Sequence, residues 1–148
     1  MTHADLEISL PARAENVAVI RHVLSGIADA LALDPEVLSD VKLAVSEACA
    51  NAVVHAYPEG DPGLLDLEVS THRESLEVVV RDHGRGMMPR ADSPGLGVGL
   101  PLMASLSAAL ELTNRTDGGT EVRMSFVTAT PDSAPDSAWA APERAAGP

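Results

Sequence analysis

The segment from Leu64 to Asp82 constrains the fold most. In "LLDLEVSTH" the side chains Leu65, Leu67 and Val69 alternate with Asp66, Glu68 and Ser70, and "LEVVVRD" continues in the same manner after a short turn at Arg73 to Ser75. Period-two alternation predicts two strands of a hairpin with one face covered and one face wet. A hairpin of this kind cannot bury its apolar face alone, so the rest of the chain must supply a second layer.

The flanking segments do so. Upstream, "ADLEISLPA" reads as a strand closed by Pro11, and Glu15 to Leu33 carries Val17, Ile20, Val23, Leu24, Ile27 and Leu31 at helical spacing, with Gly26 weakening its middle. A second helix opens at Asp34, a good N-cap followed by Pro35, and stops at "YPEGDPG", Tyr57 to Gly63. Downstream, His83 to Gly99 is too rich in glycine and proline to be regular, and it leads into a third helix, "LPLMASLSAAL". A second hairpin, "LELTNRT" and "TEVRMSFV", turns about Asp117, Gly118 and Gly119 with Val122, Met124 and Phe126 inward. The order β-α-α-β-β-loop-α-β-β predicts a two-layer α+β sandwich over residues 5–127, with a mixed, mostly antiparallel sheet and helices on one face. Residues 128–148, rich in Ala, Pro, Ser and Asp, read as a disordered tail around Trp139.

Composition narrows the function. Aromatic residues make up only 2%, so the core must be aliphatic. The formal net charge of −12, with no basic cluster set against it, argues against direct nucleic-acid or membrane binding and favours a basic or mixed-charge protein partner. The lone Cys49 lies in the small-residue run "EACANA" and fits a reducing cytoplasm. No leader pattern and no apolar run of the roughly 20 residues that span a bilayer is present, so a cytoplasmic location is expected.

Three stretches could carry chemistry. "EACANAVVHAY" places Glu47, Asn51 and His55 four residues apart, in one row beside the small positions Ala44, Ala48 and Ala52. Such a row is either a solvated stripe or the wall of a site, in which Asn51 would offer a hard cation a neutral oxygen and Glu47 could take a proton. His55, near a helix C-terminus, is well placed electrostatically whatever its function, and the structural reading is preferred for it. In "RDHGRGM", Asp82 ends an apolar strand before Gly84 and Gly86, which suits either a turn or the close approach of a ligand plane. In "GLGVGLPLM", Gly95, Gly97 and Gly99 precede a helix whose free N–H groups could meet phosphate oxygens; the spacing matches neither a Walker A loop nor a dinucleotide fingerprint.

Taken in order, E-x-x-x-N on a helix, D-x-G-x-G at a strand end, G-x-G-x-G opening a helix and "GGT" opening a strand resemble the Bergerat-fold (GHKL) ATPases. The likeness is strongest to the small RsbW/SpoIIAB-type anti-sigma factors that are also serine kinases. "SEACANAVVHAY" is similar to the N box, "RDHGRGM" to the G1 box and "GLGVGLPLM" to the G2 box, and the resemblance covers about residues 5–127. It implies ATP and Mg²⁺ as cofactors. Asn51 would hold the metal, Glu47 would be the catalytic base, and Asp82 would accept from the adenine amino group. Gly84 and Gly86 would admit the base, Gly95, Gly97 and Gly99 would wrap the phosphates, and Thr120 would lie near the adenine.

The loop between the two glycine boxes, Met87 to Pro94, is short for the family and has no Lys, so Arg90, its only cation, is either a solvated loop arginine or the group that covers the β/γ-phosphates. The function implied is phosphorylation of a STAS-domain anti-sigma antagonist together with sequestration of a sigma factor, by a homodimer. A nucleotide-sensing module that sequesters its partner without phosphoryl transfer is the alternative. A histidine kinase fits less well, since 148 residues leave no room for a separate dimerisation and phosphoacceptor domain.

Overall fold

The computed structural model describes residues 4–57, 63–85 and 99–128. The elements run β1 (Leu6–Pro11), α1 (Ala14–Leu31), α2 (Pro35–Asn51), a π-helical turn (Ala52–Ala56), β2 (Leu64–Thr71), β3 (Ser75–Asp82), α3 (Gly99–Leu106), β4 (Ala109–Asn114) and β5 (Thr120–Val127). The five strands form one sheet in the order β1-β2-β3-β5-β4, and all four pairings are antiparallel. This is the two-layer α+β arrangement the alternation demanded.

Its core lies between the helices and one face of the sheet. Leu65, Leu67 and Val69 of β2, Leu76, Val78 and Val80 of β3, and Val122, Met124 and Phe126 of β5 are buried against Ile20 and Leu24 of α1, Val41, Ala44, Val45 and Ala48 of α2, and Met103 of α3. Aliphatic interdigitation carries the packing, as the near absence of aromatic residues required. Cys49 is part of this core, and burial pushes its thiol up to about 12, so it behaves as a small hydrophobe.

The other sheet face is held by charge. Arg81 bridges Glu68 at 2.5 Å and Glu121 at 2.6 Å, while Arg123 bridges Glu77 at 2.5 Å and Glu121 at 3.1 Å. Their stems flank Val79, which is itself buried and lies opposite both Glu68 and Arg123 in the ladder. Exposed pairs contribute little singly, but this linked set covers the one apolar side chain of β3 that points away from the helices.

Local chemistry accounts for most boundaries. The Asp34 carboxylate accepts the Glu36 N–H at 2.8 Å, and Pro35 sits where a helix tolerates it. α1 ends two residues before the expected Leu33 because Ala32 turns into the left-handed region (φ 52°), which lets the Leu33 N–H reach the Ala28 carbonyl at 3.0 Å.

Two expectations need correction. The third helix stops at Leu106, short of Leu110: the Ala108 N–H donates to the Ser125 carbonyl at 2.7 Å and Leu110 pairs with Met124, so sheet pairing overrides helical spacing. The second helix does not stay α-helical up to Tyr57, because it widens into a π turn directly after Asn51. The expected tail beyond Thr128 lies outside the described residues.

Candidate functional site

The α2 face that meets α3 is built from small residues. Ala44, Ala48 and Ala52 are fully buried, and beside them stand the half-buried Glu47 and Asn51. Gly99, the first residue of α3, is set directly against these two side chains. A Cβ there would lie 2.9 Å from Asn51 Nδ2, 3.3 Å from Glu47 Oε2 and 3.5 Å from Asn51 Oδ1. The stretch that resembles a phosphate loop therefore ends where the helix row begins. The positive end of α3 stands over a carboxylate and a carboxamide.

Asn51 Nδ2 is buried and has no hydrogen-bond partner among the described residues. A buried amide left open costs of the order of 1–3 kcal/mol. The π turn begins at the next residue, so the four-residue spacing that aligns Glu47 with Asn51 no longer carries His55 along the same row. His55 stays half-buried near the helix end, in keeping with its structural reading.

Asp82 and Thr120, the other candidates among the described residues, lie at the ends of two paired strands. Asp82 is the last residue of β3 and Thr120 the first of β5, and both are fully buried. The register Arg81↔Glu121, continued by one residue, sets them opposite each other. Asp82 Oδ1 accepts the Gly84 N–H at 3.1 Å, an Asx-type turn that fixes the carboxylate.

Two glycines make this packing possible. A Cβ on Gly84 would lie 2.1 Å from the Ala56 carbonyl oxygen, which also accepts the Arg85 N–H at 2.6 Å. A Cβ on Gly119, whose φ is +87°, would lie 2.0 Å from the Asp82 carbonyl oxygen. Gly84 is thus needed first for the contact between strand end and helix end. Gly86, Arg90, Gly95 and Gly97 lie outside the described residues.

Sequence reasoning missed four side chains near this strand end: Tyr57, His83, Asp66 and Ser9. The Tyr57 hydroxyl accepts the His83 N–H at 2.8 Å and donates to the Leu64 carbonyl at 2.5 Å. Burial, reinforced by the Asp82 and Asp66 carboxylates, holds this phenol above its ordinary pKa, so it remains a neutral donor. On the open side of the sheet, His83 Nε2 meets Asp66 Oδ2 at 2.5 Å, and Asp66 Oδ1 accepts the Ser9 hydroxyl at 2.6 Å. Burial alone would raise the Asp66 pKa, but the hydrogen bonds from Ser9 and His83 outweigh it and hold the carboxyl below the usual value. Tyr57 carried one signal: it is the chain's single tyrosine, placed directly after the helix that bears the polar row.

The donor set fits a hard cation carried by a polyanion better than a cation held by protein alone. One carboxamide and one carboxylate face the N-terminus of α3, and among the described residues no three His, Cys, Asp or Glu side chains gather as a ligand cluster. Mg²⁺ is commonly bound through one or two protein oxygens plus substrate phosphates.

Residues 10–126 match the model of the histidine kinase-like ATPase domain. The chain is 33% identical over 134 residues to the serine-protein kinase RsbW of Halalkalibacterium halodurans, covering 80% of each chain. It is 42% identical over 79 residues to serine-protein kinase RsbW of Bacillus subtilis, where the match spans 53% of this chain and 49% of the relative. Among solved structures, the RsbU and RsbW domains of Rv1364c from Mycobacterium tuberculosis superpose with a TM-score of 0.67 at 20% identity, covering 84% of this chain and 33% of that one. The SiaB-SiaC complex from Pseudomonas aeruginosa gives a TM-score of 0.59 at 17% identity over 85% of this chain and 91% of that one, a likeness of fold. The match to the family model over residues 10–126 and the 33% identity over 80% of each chain, on a fold whose described residues form a five-stranded antiparallel sheet packed against three α-helices, assign it: the protein belongs to the histidine kinase-like (GHKL) ATPase family, among the relatives of the serine-protein kinase RsbW.

Proposed function

We propose that the protein is an ATP-dependent serine/threonine kinase of a partner switch, which phosphorylates a STAS-domain anti-sigma antagonist and in a separate complex holds a sigma factor. The observation that carries the kinase reading is the closeness of Gly99 to Glu47 and Asn51, since it joins a carboxylate, an open buried amide and a helix N-terminus at one point. The relatives named as serine-protein kinases support the same reading.

In this reading Asn51 holds Mg²⁺ through its side-chain oxygen, and the metal supplies charge neutralisation to the phosphates. Glu47 takes the proton from the acceptor hydroxyl as its oxygen bonds to the γ-phosphorus and the bond to the bridging oxygen of ADP breaks. Asp82 accepts a hydrogen bond from the adenine amino group, with Thr120 beside it and Gly84 and Gly86 lining the base. Gly95, Gly97 and Gly99 give backbone N–H groups to the phosphates, and Arg90 covers the β/γ end. Positioning and electrostatics do the work, as phosphoryl transfer requires.

The net charge of −12 suits a partner with a basic surface, and a homodimer in the cytoplasm is the proposed working form. No helix among the described residues is long and apolar enough to cross a membrane. Binding of MgATP by wild type and by Asn51→Ala, with and without Mg²⁺, tests the metal assignment. Mg²⁺-dependent binding lost in the variant supports it, and unchanged Mg²⁺ dependence removes Asn51 from the metal site.

A further inference from the structure

The residue that follows Asp82 is held by the side chain of Tyr57, which lies just beyond the end of the helix that carries Glu47 and Asn51. The Tyr57 hydroxyl takes the His83 N–H at 2.8 Å and gives its proton to the Leu64 carbonyl at 2.5 Å, joining the end of β3 to the start of β2. Its ring fills the space left by two glycines: a Cβ on Gly63 would stand 2.0 Å from Tyr57 Cε1, and one on Gly84 2.7 Å from Cδ1. Tyr57 lies one residue beyond the π turn, and the Ala56 carbonyl just before it accepts the Arg85 N–H at 2.6 Å. The end of the helix is therefore fastened to both sides of the Asp82–Gly84 turn.

This fastening lies at the edge of the core, where Ala56 is its one fully buried member. Tyr57 packs on the rim of the core, whereas Gly63 and Gly84 are half-buried and Leu64, His83 and Arg85 exposed, and the helix also packs through Ala48, Cys49 and Ala52. What it does fix is the placement of the Asp82 strand end relative to Glu47 and Asn51. A ligand that is read at its base by Asp82 and at its phosphates by the helix row needs that separation held to a fraction of an ångström.

We infer that Tyr57 is a positioning residue for base recognition, setting the Asp82 carboxylate at the distance from the Asn51 row that an adenine nucleotide spans. The inference rests on the proposed role of Asp82. Tyr57 contacts the backbone around Asp82, acts through it, and sets the preference for adenine over guanine, whose exocyclic groups present the reverse donor and acceptor pattern at the reading edge.

Titration calorimetry with Mg²⁺ and either ADP or GDP tests this on wild type, Tyr57→Phe, Asp82→Asn and the double variant. The phenylalanine keeps the ring packed on Gly63 and Gly84 and removes the hydroxyl alone. Tyr57→Phe should weaken ADP about 3- to 10-fold, the worth of one hydrogen bond, change GDP little and so lower the ADP-to-GDP ratio. In the Asp82→Asn background the same substitution should do no further harm, because its effect passes through that carboxylate. Equal losses in both backgrounds, or an unchanged ADP-to-GDP ratio in Tyr57→Phe while Asp82→Asn lowers it, would overturn the positioning role and leave the Asp82 reading intact. ADP affinity unchanged in Asp82→Asn would overturn the Asp82 reading itself, and the role of Tyr57 with it.

Discussion

Gly99 and Asn51 are in contact across the α2–α3 junction, so closely that a methyl group on Gly99 would stand 2.9 Å from the Asn51 amide nitrogen. The atom in the way is the tip of a short side chain, which can swing aside at small cost to the fold. Gly99→Ala should therefore lower MgATP affinity by about 10- to 100-fold, the usual effect of disturbing a group that orients a metal ligand. Its melting temperature without nucleotide should stay close to wild type. Calorimetry beside thermal melting checks both, and a variant that melts early while binding normally would separate Gly99 from the nucleotide site.

The adjacent glycines Gly118 and Gly119 test backbone strain against steric exclusion. Both have positive φ, at 99° and 87°, but a Cβ on Gly118 meets nothing within 4 Å whereas one on Gly119 would lie 2.0 Å from the Asp82 carbonyl oxygen. Gly118→Ala should cost about 1–2 kcal/mol from conformation alone, and Gly119→Ala clearly more, about 3 kcal/mol or above, because the Asp82 backbone must also move. Urea unfolding of the two variants gives the comparison. Equal losses would contradict the packing of this hairpin on Asp82.

At the end of α1 the strain can be relieved. Ala32 occupies the left-handed region at φ 52°, which costs an L-residue about 1–2 kcal/mol, while a glycine there adds about 0.5–1 kcal/mol of unfolded-chain entropy. Ala32→Gly should stabilise the protein by about 0.5–1 kcal/mol, read as a higher urea midpoint with an unchanged slope.

Acid should loosen the Ser9–Asp66–His83 chain. The folded-state pKa of Asp66 is depressed, since the bonds from Ser9 and His83 overcome the opposing effect of burial, and that of Asp5 is depressed by the Thr71 hydroxyl and N–H. A depressed carboxyl contributes stability that is present above its unfolded value of about 3.9 and is lost as pH falls through the folded value. Urea midpoints should hold from pH 6 to about pH 4 and drop below it, and Asp66→Asn should reduce that drop.

Much of this architecture was legible because its signals are local and periodic. Leu65, Leu67 and Val69 can share a face only in a strand, and Asp34 with Pro35 can open only a helix of this kind. The end of the third helix was misread because the spacing of Leu110 from Met103 and Leu106 satisfies a helix, and only its pairing with Met124, fourteen residues on, decides otherwise. The widened turn after Asn51 has no known composition signal, so the departure of His55 from the row could not be read in advance. The proximity of Glu47 and Asn51 followed from spacing. Their proximity to Gly99 depended on the packing of α3, and Tyr57 looked like a helix stop because its partners are backbone atoms, which leave no trace in the sequence.

The central claim is that Glu47 takes the proton in transfer of the γ-phosphoryl group from ATP to a protein hydroxyl. It is tested most directly by incubating the protein with Mg²⁺, γ-labelled ATP and a STAS-domain protein found by pull-down, using wild type and Glu47→Ala and measuring nucleotide affinity alongside. The account predicts label on a Ser or Thr of the STAS protein with wild type, and loss of that label with Glu47→Ala while ATP binding is largely kept. Normal labelling by Glu47→Ala would remove Glu47 from the chemistry. Label remaining on ATP with wild type, despite nucleotide binding and STAS association, would contradict the kinase and leave a nucleotide-gated binding protein.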